Sequence, residues 1–138
     1  LTFQPPTRAH HPADVYHEAW KLLVDKQPGP ALEILDTALA KEPASTSLRT
    51  LRAWAYFQSA HLQRAESDLV LLVEDCPTDL WARFALGRVL ERQSRYGDAL
   101  PHLRLAAAMS ADPEHETAVL RVERRLAEVG ELSYDDLT

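Results

Sequence analysis

Leu86-Gly87-Arg88-Val89-Leu90, followed by Ala99-Leu100-Pro101-His102-Leu103, decides the fold, because its spacing recurs upstream. Alanine stands at 31, 65 and 99 and leucine at 35, 69 and 103, each column returning after 34 residues. Proline keeps the same interval at 43 and 77, and Ala19, Ala53 and Gly87 put a small residue 12 positions before each alanine. A fixed period across several columns marks one supersecondary unit stacked on copies of itself. Such a unit cannot bury its apolar face alone. Neighbours supply the core, and an outer surface remains for binding.

Working outward, every break is marked by proline, glycine or a capping residue, which predicts helices throughout and no strand. The first helix is expected over about 13–26, with Val15, Ala19, Leu22 and Leu23 at helical spacing. Gln27-Pro28-Gly29-Pro30 ends it, and Pro30 suits the first turn of a second helix that stops at Glu42, before Pro43. Ser45, Thr46 and Ser47 offer caps to a third helix over about 47–59, and a fourth covers about 62–75. Thr78 or Asp79 caps a fifth over about 79–94, and a sixth covers about 98–110 with Pro101 in its first turn. Asp112-Pro113-Glu114 opens a seventh that runs to about Val129, with Gly130 just past its end. The expected organisation is an extended N-terminal arm (1–11), a single repeat domain (12–130) and an acidic C-terminal tail (131–138). Within the domain the repeats fall at about 12–45, 46–79 and 80–113, and a charged capping helix at about 113–130 closes the stack.

The columns resemble the tetratricopeptide repeat, whose signature is W-x2-L-G-x2-Y, then A-x3-F, then P, at a period of 34. The third unit carries it best, and the match covers residues 12 to about 113. Glu18 and Arg52 stand where the family usually has leucine, and Leu72 where it prefers alanine. Pro113 arrives two residues later than the period predicts. The resemblance implies an all-α, right-handed superhelical solenoid of antiparallel helix pairs, about seven helices in all.

Composition narrows the function. A chain of 138 residues with 46% apolar content has enough material for one core. The longest apolar stretch, Leu69 to Val73, is far too short to span a bilayer. No basic cluster or apolar h-region is visible at the N-terminus, and the single cysteine, Cys76, suits a reducing compartment; a cytoplasmic location is expected. A net charge of −6 argues against nucleic acid as a partner. Arginine is nevertheless concentrated in the third unit, at 83, 88, 92, 95 and 104. No cysteine or dense carboxylate set completes a metal site with His10, His11 and His17, and His61, His102 and His115 read as surface residues. Phosphate-loop, serine-hydrolase and zinc-protease motifs are missing, so neither a cofactor nor an enzyme is expected.

The binding residues are sought on the first helix of each pair. Its small-residue stripe (Ala19, Ala53, Gly87) forms the seam between paired helices, which leaves the adjacent stripe. The resemblance puts that stripe on a concave groove. Its groove positions fall on Tyr16 and Trp20, on Trp54 and Phe57, and on Trp81, Phe84 and Arg88. The alternative is that these aromatics are packing between repeats. The core columns are already filled by alanine, leucine and small residues, which favours the groove. The family's Lys, Asn and Arg clamp for a C-terminal carboxylate would fall on Tyr16, Trp20, Leu51, Trp81 and Ala85, none of which matches. The expected function is a non-catalytic adaptor or chaperone-like module for a peptide or extended protein segment, apolar or aromatic with an acidic part. The alternative is a structural scaffold in which the same surface builds a homo-oligomer. The tail, Glu131-Leu132-Ser133-Tyr134-Asp135-Asp136-Leu137, mixes apolar anchors with acids and is a candidate occupant of the groove.

Overall fold

The 34-residue period of the side chains survives in the backbone. A computed structural model of the chain describes Pro5 and residues 14–130; the rest of the arm and the acidic tail lie outside the described residues. Seven helices follow one another among the described residues: α1 (Asp14–Val24), α2 (Pro28–Lys41), α3 (Thr46–Gln58), α4 (Leu62–Asp75), α5 (Leu80–Arg92), α6 (Tyr96–Met109) and α7 (Pro113–Glu128). No strand occurs among these residues. The ends of α1, α3 and α5 are 34 residues apart, and so are both ends of α2, α4 and α6. Pro101 lies further inside its helix than expected, because α6 starts at Tyr96. It is past the first turn and forfeits one backbone hydrogen bond, on the exposed side.

The turns inside the pairs repeat too. Lys26, Ala60 and Ser94 have φ of 61°, 59° and 60°, the left-handed region, and are spaced by 34. The N–H groups of Gln27, His61 and Arg95 donate to the carbonyls of Leu22, Tyr56 and Leu90 at 2.8, 2.9 and 3.0 Å. Those of Lys26, Ala60 and Ser94 donate to Leu23, Phe57 and Glu91. This pattern satisfies the carbonyls left unpaired at a helix C-terminus and reverses the chain. Glycine is the usual occupant of such a position, and none of the three is glycine.

The turns between pairs rest on side chains. Ser45 Oγ accepts from Leu48 N–H at 3.3 Å, Asp79 Oδ1 from Ala82 N–H at 3.1 Å, and Asp112 Oδ1 from Glu114 N–H at 3.0 Å. Arg49 and Arg83, again 34 apart, each donate an Nη2 hydrogen bond to the carbonyl of the preceding proline, Pro43 at 2.7 Å and Pro77 at 3.2 Å. Asp112 follows Asp79 by 33 residues, so α7 opens one residue ahead of the period.

The chain divides into two compact units, residues 1–75 and 76–138. In the first, α1 packs on α2 and α3, α2 on α3, and α3 on α4. Ala19, Leu23, Ala31, Leu35, Leu51, Ala53, Ala65 and Leu69 are fully buried. Arg52, standing where the resemblance put leucine, crosses three helices. Its Nε and Nη2 reach the two oxygens of buried Asp68 on α4 at 2.8 Å each, and Nη1 reaches Asp36 on α2 at 3.3 Å. An ion pair replaces an apolar contact there. In the second unit α5 packs on α6 and α6 on α7, around Val89, Ala99, Leu103, Ala106, Ala118 and Val122. Gly87 marks the closest approach. A Cβ at that position would lie 2.5 Å from Leu103 Cδ2 and 2.7 Å from Cγ, and Leu103 is fully buried with nowhere to swing.

Two stability changes of opposite sign follow. Ala60→Gly relieves a left-handed alanine, worth about 1–2 kcal/mol, against a glycine entropy penalty of roughly 0.5–1 kcal/mol. Denaturant titration should show a small net gain. Gly87→Val drives three carbons into Leu103 and should cost about 1–3 kcal/mol or more, seen as a lower midpoint at an unchanged m-value. A Gly87→Val chain as stable as the parent would refute the packing of α5 on α6.

Candidate binding patches

The aromatic stripe takes a different form in each unit. In the first, Tyr16 and Trp20 sit one turn apart on α1, which puts them on one face. Their rings stack with centroids 6.5 Å apart and planes 16° apart. Trp54 on α3 meets Trp20 with centroids 5.5 Å apart and planes tilted by 56°. Tyr16, Trp54 and Phe57 are buried, Trp54 to 6% exposure, whereas Trp20 is half-buried. Trp54, one of the expected groove residues, is therefore buried against Trp20, which stays partly exposed.

In the second unit Trp81, Phe84 and Arg88 share a face of α5. Phe84 is buried and packs on His115 of α7, with centroids 4.2 Å apart. His115, expected at the surface, is only 8% exposed. Its place in the first turn of α7 points it at α5, and Nδ1 is buried without a hydrogen bond. Trp81 is half-buried. Arg88 Nε lies 3.2 Å from Glu91 Oε1. Arg121 of α7 grips the same carboxylate from the other side, with Nη2 to Oε1 at 2.8 Å and Nε to Oε2.

Electrostatics separates the two arginines. Burial is the main influence on Arg88 and lowers its pKa; Glu91 opposes this and Arg121 adds to it. The hydrogen bond to Glu91 raises the pKa of Arg121. Guanidinium stays protonated in either case; both positive charges face Glu91, and Glu114 adds a weaker favourable influence on each. Neighbouring His102 lies 3.2 Å from Arg83 Nη1, and burial together with that arginine pushes its pKa down.

Glu91, Arg121 and His115 were not among the expected binding residues. The only sequence signal was the arginine concentration around 88, because pairing between α5 and α7 is not visible in a 34-residue period that α7 breaks. Two concavities were also unforeseen. One of about 440 Å³ in the first unit is lined by Val15, Glu33, Ile34, Thr37, Ala38, Lys41, Glu42 and Leu48, none of them an expected site residue. Another of about 540 Å³ lies on α7, along Thr117, Leu120, Arg121, Arg124, Arg125 and Glu128.

No protein-family model and no curated protein matches this sequence. Solved structures do resemble the fold. The Sgt2 TPR domain from Aspergillus fumigatus is similar at a TM-score of 0.77 with 20% identity, over 94% of this chain and 89% of that one. MamA AMB-1 is similar at 0.74 with 19% identity, over 82% of this chain; the match spans 62% of the MamA chain. TTC0263, a thermophilic TPR protein in Thermus thermophilus, is similar at 0.68 with 21% identity, over 88% of this chain and 66% of that one. The likeness shows the fold. It is an all-α arrangement of antiparallel helix pairs of the tetratricopeptide-repeat type.

The burial difference between the two stacked tryptophans yields a test. Trp54→Ala should cost about 3–5 kcal/mol of folding stability, the range for removing a large buried aromatic. Trp20→Ala should cost clearly less, because part of its ring already faces water. Chemical denaturation of both variants measures this, and equal losses would contradict the observed burial.

Proposed function

We propose that this chain is a non-catalytic interaction module that holds a peptide or extended protein segment through a patch in each unit. The stack is read as three repeats, at about 12–45, 46–79 and 80–113, closed by a capping helix at about 113–130. Tyr16, Trp20, Trp54 and Phe57 form the first patch, and Trp81, Phe84 and Arg88 the second. One observation carries the reading: half-buried Trp20 and Trp81 have buried aromatic neighbours on their own helix faces. A ring fixed from below loses little freedom when a ligand covers its upper edge, and tryptophan and arginine are the residues most enriched at binding hot spots. Arg88, whose charge burial disfavours, adds a preference for an acidic residue in an otherwise apolar or aromatic segment.

Among the described residues, no group of three or more His, Cys, Asp or Glu side chains is placed to hold a metal ion. No helix among them is long and apolar enough to cross a membrane. Exposed, unpaired Cys76 suits a reducing compartment such as the cytoplasm.

Panning a random-peptide phage library on the full chain tests the proposal. Selected peptides should combine aromatic or aliphatic residues with at least one acid. Trp20→Ala and Trp81→Ala should each weaken the best of them by about 2 kcal/mol, roughly thirtyfold, and Arg88→Ala should remove the preference for the acid. Peptides that bind both tryptophan variants as tightly as the parent would place the function elsewhere.

A further inference from the structure

The 34-residue period singles out one place where the first helix pair departs from the next two. Val15, Arg49 and Arg83 form one column, and Ile34, Asp68 and His102 form another. In the second helix pair Arg49 Nε stands 3.9 Å from Asp68 Oδ1, and in the third Arg83 Nη1 stands 3.2 Å from His102 Nδ1. Both arginines also reach the carbonyl of a proline, which a valine is too short to do. Val15 and Ile34 thus put an apolar contact where the other helix pairs have a polar one, and both line the concavity of about 440 Å³. Its apolar walls are Val15, Ile34, Ala38 and Leu48, and Glu33, Lys41 and Glu42 stand exposed on its rim. Thr37 spends its hydroxyl hydrogen on the Glu33 carbonyl at 3.1 Å. None of the three rim charges has an ion pair among the described residues.

Helix α7 carries the complementary surface. Leu120, Arg124, Arg125 and Glu128 share its outward face, along the concavity of about 540 Å³. Leu120 is 60% exposed, more than any other large apolar side chain among the described residues. A lone exposed leucine is ordinary, but this one is flanked by cations. Arg121 is committed to Glu91, and Arg125 lies 3.5 Å from Glu128. Arg124 is exposed and has no hydrogen bond or ion pair among the described residues. The stripe therefore sets two positive charges and one negative around an aliphatic side chain. The rim in the first unit sets two negative charges and one positive around an aliphatic cavity. Each surface runs about 12–14 Å along its helix, at 1.5 Å per residue.

We propose that the α7 stripe of one molecule docks in the first-unit concavity of a second copy of this chain. Leu120 enters between Val15, Ile34, Ala38 and Leu48, Arg124 and Arg125 face Glu33 and Glu42, and Glu128 faces Lys41. The arginine stems cover apolar surface while their charged heads stay in water at the carboxylates. Because the two surfaces are unlike, the contact is head-to-tail, and each added molecule brings a free stripe or a free concavity for the next. Exposed ion pairs contribute little, so the contact is weak and forms at high concentration. No residue of the aromatic patches takes part, and the inference stands whether or not those bind peptides.

Sedimentation equilibrium of the full chain over a concentration series tests this, with a reductant present to keep exposed Cys76 a thiol. The weight-average mass should climb with concentration and pass twice the monomer value at millimolar protein. Leu120→Glu breaks the stripe, and Glu33→Lys with Glu42→Lys breaks the rim. All three positions are exposed, so both variants should melt at the parent temperature. Each variant alone should stay monomeric at the concentration where the parent assembles. Mixed in equal amounts they should form a one-to-one complex and stop there, because only one intact stripe and one intact concavity meet. A parent that stays monomeric would overturn the proposal. Assembly that survives in either variant would overturn it too, as would a mixture that stays monomeric after both variants have lost assembly.

Discussion

Close approach of paired helices at a position that admits a small residue at most is the constraint on which the rest depends. At Gly87 the absent Cβ is what lets Leu103 lie against the α5 backbone. Ala19 and Ala53, in the same column, are fully buried with the smallest side chain an ordinary residue has. Once two helices touch at a small residue, the neighbouring rows of side chains must interdigitate, which sets which faces are inside. The leucine column then fills the seam, and the adjacent row is left to carry aromatics. Position of the patches is thus a consequence of where the small residues fall.

Much of this was legible in the chain. The alanine, leucine and small-residue columns gave the number and type of helices, and the prolines and capping residues placed most boundaries within one or two residues. What was hidden obeys the same period in residue types that carry no generic signal. Lys26, Ala60 and Ser94 share a left-handed turn whose identity is set by backbone hydrogen bonds, and a tertiary stack compels each of them into it. Arg49 and Arg83 repeat a contact to a proline carbonyl, which looks like surface charge until the loop is folded. Arg52 looked like a defect in the repeat because its partners, Asp68 and Asp36, lie 16 residues away on either side.

The candidate binding residues were less legible for a physical reason. Helical spacing determines which face a residue occupies, whereas burial depends on what the neighbouring helices bring. The rings of Tyr16, Trp20 and Trp54, one stripe in the sequence, meet in space. Their division into a half-exposed ring and two buried ones follows from packing between α1 and α3. His115 illustrates the same limit: a polar residue in a first turn reads as surface until a phenylalanine is found lying 4.2 Å from it.

Charge tells the two units apart. In the first, Arg52 is closed by Asp68 and bridged to Asp36, with Arg49 Nε 3.9 Å from Asp68, so these charges are spent on joining α2, α3 and α4. Such a pair is costly to break and offers little to a ligand. In the second unit Arg88 and Arg121 both meet Glu91, and Glu114 adds a weaker favourable influence on each. Burial is the main influence against the Arg88 charge and Arg121 adds to it, while Glu91 and Glu114 oppose them; a carboxylate brought by a ligand would favour the charge further. A chain with a net charge of −6 would ordinarily repel acidic partners at long range. Screening confines that repulsion to about 8–10 Å at ordinary ionic strength, so a local excess of arginine on a structured face can still select an acid at contact. The acidic balance of the whole chain therefore limits nucleic acid and polyanions, with their many charges, more than it limits a single carboxylate presented on an apolar segment.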